Sequence, residues 1–114
     1  MSDTQTIRQR PLPAWLKQVR GCSHFADVDG GIAGGVEGCE ECLRTGDSWV
    51  HLRQCLVCGR VLCCTESKNK HSLRHFHETG HALIRSFEPD EEWAWCWAHE
   101  RGFAPRRHRR KTEL

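Results

Sequence analysis

Apolar and polar positions alternate through "SWVHLRQC", residues 48–55: Trp49, His51 and Arg53 fall on one face, Val50 and Leu52 on the other. A period of two is the mark of a half-buried strand. "GRVLC" (59–63) predicts a short second strand and "HALIRSF" (81–87) another. "WAWCWAH" (93–99) alternates again, with Trp93, Trp95 and Trp97 on one side and Ala94, Cys96 and Ala98 on the other. Between them "NKHSLRHFHE" (69–78) predicts a helix, with Ser67 or Asn69 as N-cap and Gly80 as its stop. "ADVDGGIAGGVEG" (26–38) is Gly-rich without a period and predicts a loop. These elements make a small α+β domain over residues 21–104, an antiparallel sheet with one main helix. Residues 1–20 form an N-terminal tail whose Trp15 and Leu16 are placed to dock on the domain, and 105–114 a basic, disordered C-terminal tail. No internal repeat is visible.

Composition changes this picture in one respect. Only 38% of the 114 residues are hydrophobic, and the large apolar ones are scattered. A core of that kind is marginal, and small folds so placed carry disulfides or a structural metal. Eight Cys and eight His are the material for it. The N-terminal stretch is polar without an apolar segment, so no secretory signal is expected. No window approaches the roughly 20 apolar residues of a membrane span. Both point to the reducing cytoplasm, where clustered cysteines favour metal over disulfides. The formal charge of +2 is close to balance; the basic excess lies in "PRRHRRKTEL", while Asp27, Asp29, Glu37, Glu40 and Glu41 make the early half acidic. Nothing global argues for nucleic acid, and contact through the basic tail is the alternative function from another class.

Two pairs, Cys39-x-x-Cys42 and Cys55-x-x-Cys58, have the spacing that lets two thiolates reach one tetrahedral ion from a single turn. Each pair needs two more ligands. Cys63 or Cys64, with His71, His75 and His81, supplies them; His71 and His75 lie four apart on one helix face. Cys22-x-His24 and Cys96-x-x-His99 group as a third site that would clamp the two ends of the domain together. Seven Cys and five His then make twelve ligands for three zinc ions, two at minimum, and leave one Cys with His51, His77 and His108. The stretch "HETGH" also matches the metalloprotease motif H-E-x-x-H. That motif needs both His on a continuous helical turn, and Gly80 weakens the turn. Ile84 and Phe87 stand where the extended motif would need Gly and His.

The order of "CSH", "CEEC", "WVHLRQCLVCGRVLCC", "HSLRHFHETGHAL" and "WAWCW" resembles the UBP-type zinc finger, the finger of ubiquitin-specific proteases, in its stand-alone form. The resemblance covers about residues 20 to 100. It implies interleaved sites: Cys39, Cys42, Cys63 and His71 for one zinc, Cys55, Cys58, His75 and His81 for the second, and Cys22, His24, Cys96 and His99 for the third. His81 is then a zinc partner of Cys55 and Cys58, and His77 a surface residue. Cys63 lies eight residues before His71 and Cys64 seven, so Cys64 stays the alternative to Cys63.

With every zinc closed by four protein ligands, the resemblance implies no enzyme but a binding module for a peptide or protein C-terminal tail. In the family a groove takes the free Gly-Gly end of ubiquitin. Trp95 and Trp97 match the aromatics that line it, and Trp49 another wall. The arginine that reads the tail is missing: Thr65 or Glu66 stands in its place, and Arg53, Arg60 and Arg74 are the candidate substitutes. A carboxylate at that position would repel a chain terminus, which argues against ubiquitin itself.

Overall fold

The computed structural model describes residues 10–19, 21–28, 33–34 and 38–105. The basic run from residue 106, with His108, and most of the Gly-rich loop lie outside them. Two short strands, β1 (Arg10–Pro11) and β2 (Ala33–Gly34), pair with each other. The main sheet has five antiparallel strands in the order β4-β3-β5-β6-β7: β3 (Leu52–Cys55), β4 (Val61–Cys63), β5 (Leu83–Ser86), β6 (Ala94–Cys96) and β7 (Arg101–Phe103). Among the described residues two α-helices complete it, α1 (Glu40–Thr45) and the longer α2 (His71–Thr79), with 3-10 turns at Ala14–Gln18 and Ser23–Asp27. The fold is thus α+β with one main helix, as the periodicity predicts.

Strand β3 starts later than its alternation. Regular ladder pairing begins at Leu52, opposite Cys63; the Cys64 N–H still donates to the His51 carbonyl, and one residue further out the Val50 N–H turns to the Ser67 hydroxyl instead. Helix α2 also departs from expectation at its start. Neither Ser67 nor Asn69 caps it: Ser67 accepts from Val50, and Asn69 donates to Asp47 at 2.9 Å. Lys70 holds the cap position in the left-handed region (φ 48°), and the His71 N–H donates to Cys63 Sγ at 3.2 Å. A cysteine sulfur on the neighbouring strand does what a capping side chain would do for an orphan helix donor. Gly80, at φ 81°, ends the helix.

Helix α1 was not anticipated. Its cap is Cys39, whose sulfur accepts the Cys42 N–H; Glu40 and Glu41 occupy its positive first turn and Gly46 closes it. The acidic pair also ties α1 to the sheet. Glu40 accepts from the Val61 N–H at 3.0 Å and from Arg60, and Glu41 accepts from Arg60 at 2.6 Å. Strand β7 was missed as well: three residues, two of them exposed, carry no alternating signal.

The interior falls into two clusters. One holds Leu16, Cys22, Leu56, Ala82, Leu83, Ala94 and Cys96; Trp15 packs beside it, so the N-terminal segment does dock on the domain. The other holds Cys39, Cys42, Leu52, Val61, Leu62, Cys63 and Phe87, with Trp49 against it. Both are small and include cysteines among their few apolar residues, two in the first and three in the second, so hydrophobic area alone supplies only part of the cohesion. One charge is buried between strands: Arg85 donates to Gln54 Oε1 at 2.7 Å, and Gln54 donates to the Gly59 carbonyl.

Trp49 packs against Gly38. A Cβ there would sit 2.3 Å from two carbons of the indole, a contact no relaxation of a side chain tip relieves. We expect Gly38→Ala to destabilise the zinc-loaded protein by about 1–3 kcal/mol, as overpacking does. The exposed Leu43→Ala should stay within about 0.5 kcal/mol of the parent. Denaturant midpoints of the two variants check this.

Candidate metal centres and an adjoining groove

One turn geometry recurs three times, in two C-x-x-C turns and one C-x-x-H turn. The N–H of the fourth residue donates to the sulfur of the first: Cys42 to Cys39 at 3.4 Å, Cys58 to Cys55 at 3.5 Å, and His99 to Cys96 at 3.5 Å. Such bonds favour the thiolate and aim both side chains at one point. Each turn meets a second pair of ligand atoms from elsewhere in the fold.

Around Cys39 and Cys42 gather Cys63 from β4 and His71 from the first turn of α2, all four buried. His71 Nδ1 is 3.4, 3.5 and 3.5 Å from the sulfurs of Cys39, Cys42 and Cys63, and the Cys42 and Cys63 sulfurs are 3.9 Å apart. Around Cys55 and Cys58 gather His75, one turn further along α2, and His81 just past its end. Cys58 Sγ to His75 Nε2 is 3.4 Å, Cys55 Sγ to His81 Nδ1 is 3.6 Å, and the two ring nitrogens are 3.2 Å apart. The third group joins Cys22 and His24 to Cys96 and His99. His99 Nδ1 lies 3.4 Å from Cys22 and 3.5 Å from Cys96, and His24 Nδ1 3.4 Å from Cys96 and 3.9 Å from Cys22.

These distances are edges of tetrahedra. An ion about 2.3 Å from sulfur and about 2.0 Å from nitrogen sets its neighbouring ligands about 3.3–3.8 Å apart. Soft thiolate and imidazole donors in four-coordinate arrangement select zinc. Without an ion the groups resist the charges such a cluster would carry. Burial pushes the Cys39 thiol up to about 12 and the Cys55 thiol up to about 11, raises Cys42 and Cys96, and lowers His71 and His75. The metal must displace those thiol protons, so its binding is coupled to their release.

His77 is exposed and takes no part in any group, so the H-E-x-x-H motif is split: His81 faces Cys55 while His77 faces solvent. Cys64, the alternative to Cys63, lies outside the first group; its sulfur is 3.5 Å from the Ser67 hydroxyl.

The structure places Arg53, Ile84, Trp93, Trp95 and Trp97, with Thr65 and Ser72, around a cavity of about 240 Å³. All three indoles are half-buried. Trp95 stands opposite Gly102, which leaves the ring 3.5 Å from where a Cβ would be. Trp97 stacks on Phe76 of α2 with ring centres 6.1 Å apart and planes 16° off parallel. Arg53 lies over Trp93, 4.5 Å from its ring centre, and donates to the Leu52 carbonyl. Two buried polar atoms of the lining, Trp97 Nε1 and Ser72 Oγ, have no hydrogen-bond partner. Trp49 is not in this wall; it packs over Gly38 in the other cluster, and Trp93 takes the third position. Arg60 and Arg74 line a separate polar recess beside α2, so of the three candidate arginines Arg53 belongs to the groove. Thr65, not Glu66, faces it.

Among the described residues no helix is long and apolar enough to cross a membrane. No curated protein matches the chain. A solution NMR structure of a Rhodopseudomonas palustris protein is 46% identical to it, with a TM-score of 0.67, over 76% of this chain and 84% of that one. Residues 39–107 match the family described as the zinc finger in ubiquitin-hydrolases and other proteins. That match takes in two of the three tetrahedra and the tryptophan groove, and the chain accordingly belongs to the UBP-type zinc finger family, with zinc as its metal.

Proposed function

We propose that the protein is a non-catalytic interaction module of the cytoplasm, held by three structural zincs, that binds the extended C-terminal tail of a peptide or protein in the tryptophan groove. The ligand sets are Cys39, Cys42, Cys63 and His71; Cys55, Cys58, His75 and His81; and Cys22, His24, Cys96 and His99. Each set is complete with four protein donors, which leaves no coordination position for a reacting water.

The observation that carries the binding reading is the combination of three indoles and one guanidinium around a single cleft. Aromatic walls take a thin, Gly-rich backbone, and Arg53, whose Nη1 lies 3.7 Å from a Glu91 carboxylate oxygen, would offer a charge-assisted partner to a terminal carboxylate by exchanging that long ion pair for it. Thr65 in the wall removes the repulsion expected from Glu66. The unpartnered Trp97 N–H and Ser72 hydroxyl offer a donor and an acceptor to a peptide once side chains adjust. The walls are braced by Phe76, Gly102 and the strand that carries Cys96, so little freedom is lost on binding. Nucleic-acid contact through the basic tail falls on residues outside the described structure.

Three outcomes are expected. Elemental analysis after dialysis into metal-free buffer should give three zinc per chain; two would remove the Cys22–His24–Cys96–His99 set from the proposal. His75→Ala should lose one zinc and the cooperative unfolding transition, since structural zinc supplies on the order of 10 kcal/mol of folding energy. His77→Ala should keep both. A peptide ending in a free Gly-Gly carboxylate, ubiquitin's own tail among the probes, should quench tryptophan fluorescence. Its C-terminal amide, or Arg53→Ala, should bind about tenfold more weakly, the loss of one charged hydrogen bond. Equal affinity for acid and amide would show that the groove does not read a terminus.

A further inference from the structure

One cysteine and three histidines are left over when the three tetrahedra are filled: Cys64, His51, His77 and His108. Two of them do not stay apart. His51 and Cys64 are cross-strand neighbours, one step beyond the Leu52–Cys63 pair, where the Cys64 N–H donates to the His51 carbonyl at 3.0 Å. Directly opposed residues in an antiparallel ladder point to the same side of the sheet, so the imidazole and the thiol meet. The turn after β4 then returns Glu66 to them. The ligand atoms of His51, Cys64 and Glu66 all lie within 4.8 Å of one another.

We propose that His51, Cys64 and Glu66 form a fourth metal site, of imidazole–thiolate–carboxylate type, for a divalent transition ion of borderline softness such as Zn²⁺ or Co²⁺. The donor set fits that class: one thiolate and one imidazole exclude magnesium and calcium, which take oxygen ligands. The site differs from the other three in kind. Those hold four protein donors each, whereas this one holds three and leaves a coordination position to water or an incoming group. Its burial is graded as well: Cys64 is buried, His51 half-buried and Glu66 exposed. The sulfur is anchored beside the Ser67 hydroxyl, itself fixed by the Val50 N–H, so the rigid donor is the thiolate and the carboxylate closes on the ion. Glu66 and His51 must draw in from up to 4.8 Å to the roughly 3.3–3.8 Å edges of a filled tetrahedron, a movement available to an exposed glutamate. The site shares no ligand with the structural zincs, so it fills and empties while the fold stands. It borders the groove: Thr65, between Cys64 and Glu66, lines the cleft, and so does Arg53, two residues from His51.

The test uses the full chain with its structural zincs in place. Co²⁺ is titrated into it while zinc release is monitored with a zinc-sensitive dye. We expect one added equivalent of cobalt without zinc release and with a sulfur-to-cobalt charge-transfer band. The other seven cysteines are held by zinc, so the band reports Cys64. Cys64→Ser should abolish it with structural zinc content unchanged. His51→Ala and Glu66→Gln should each weaken the added equivalent by at least about tenfold, the loss that even an outer-sphere partner causes. Should Cys64→Ser not fold, the exposed Glu66→Gln decides: unchanged cobalt affinity overturns the proposal. So does a wild-type titration that yields no charge-transfer band, or a band that Cys64→Ser retains.

Discussion

The N–H···S turn around each ligand pair is the constraint on which the rest of the structure depends. A thiolate can be buried only if donors and a cation compensate its charge. Here the donors come from the backbone of the turn that carries the ligand and, at Cys63, from the first turn of α2. Helix starts, the α1 cap and the end of β4 are therefore set by sulfur positions as much as by propensity. Two cysteine-rich clusters do the work that leucine and valine do in larger domains, and the chain survives with few aliphatic residues.

The three centres are not equivalent. The Cys39–Cys42–Cys63–His71 group is wholly buried, while the second has Cys58 exposed and the third His99. The first two are coupled through α2, because His71 and His75 sit one turn apart on the same face and belong to different groups. Shifting the helix to suit one ion shifts it for the other. The third centre reaches outside the stretch matched by the family, since Cys22 and His24 precede residue 39, yet it fixes the strand between Trp95 and Trp97. An ion held by this set would therefore tie the Cys22–His24 segment to the strand that carries Trp95.

Much of this was legible in the sequence because ligand spacing is local. The C-x-x-C pairs, His71 and His75 four apart, and the alternation through Trp93, Trp95 and Trp97 all reappear where the pattern put them. What the sequence did not show depended on distant partners. Asn69 looks like a helix cap until Asp47, from another segment, takes its side chain. Trp49 has the alternation of a groove residue, but Gly38, by lacking a side chain, leaves the space that its indole fills instead. Glu66 and Thr65 are adjacent, and only the turn geometry decides which faces the cleft. Helix α1 was hidden because its six residues are too few for a period, although Glu40, Glu41, Arg44 and Gly46 are the charges and stop a short helix would carry.

The third centre joins residues 77 positions apart, Cys22 to His99. A covalent link closing a loop of that length would reduce the entropy of the unfolded chain by an amount worth about 4 kcal/mol. An ion does the same without oxidation, so the tether can form in a reducing compartment. Its C-terminal pair lies at β6 and in the turn before β7, and its N-terminal pair precedes every strand of the main sheet. Tension applied between the N- and C-terminal segments would strip β7 first and then meet the bonds of an ion held by that set before it reached β5, β3 and β4, so the metal would shield the centre of the sheet and leave its edge strand to yield.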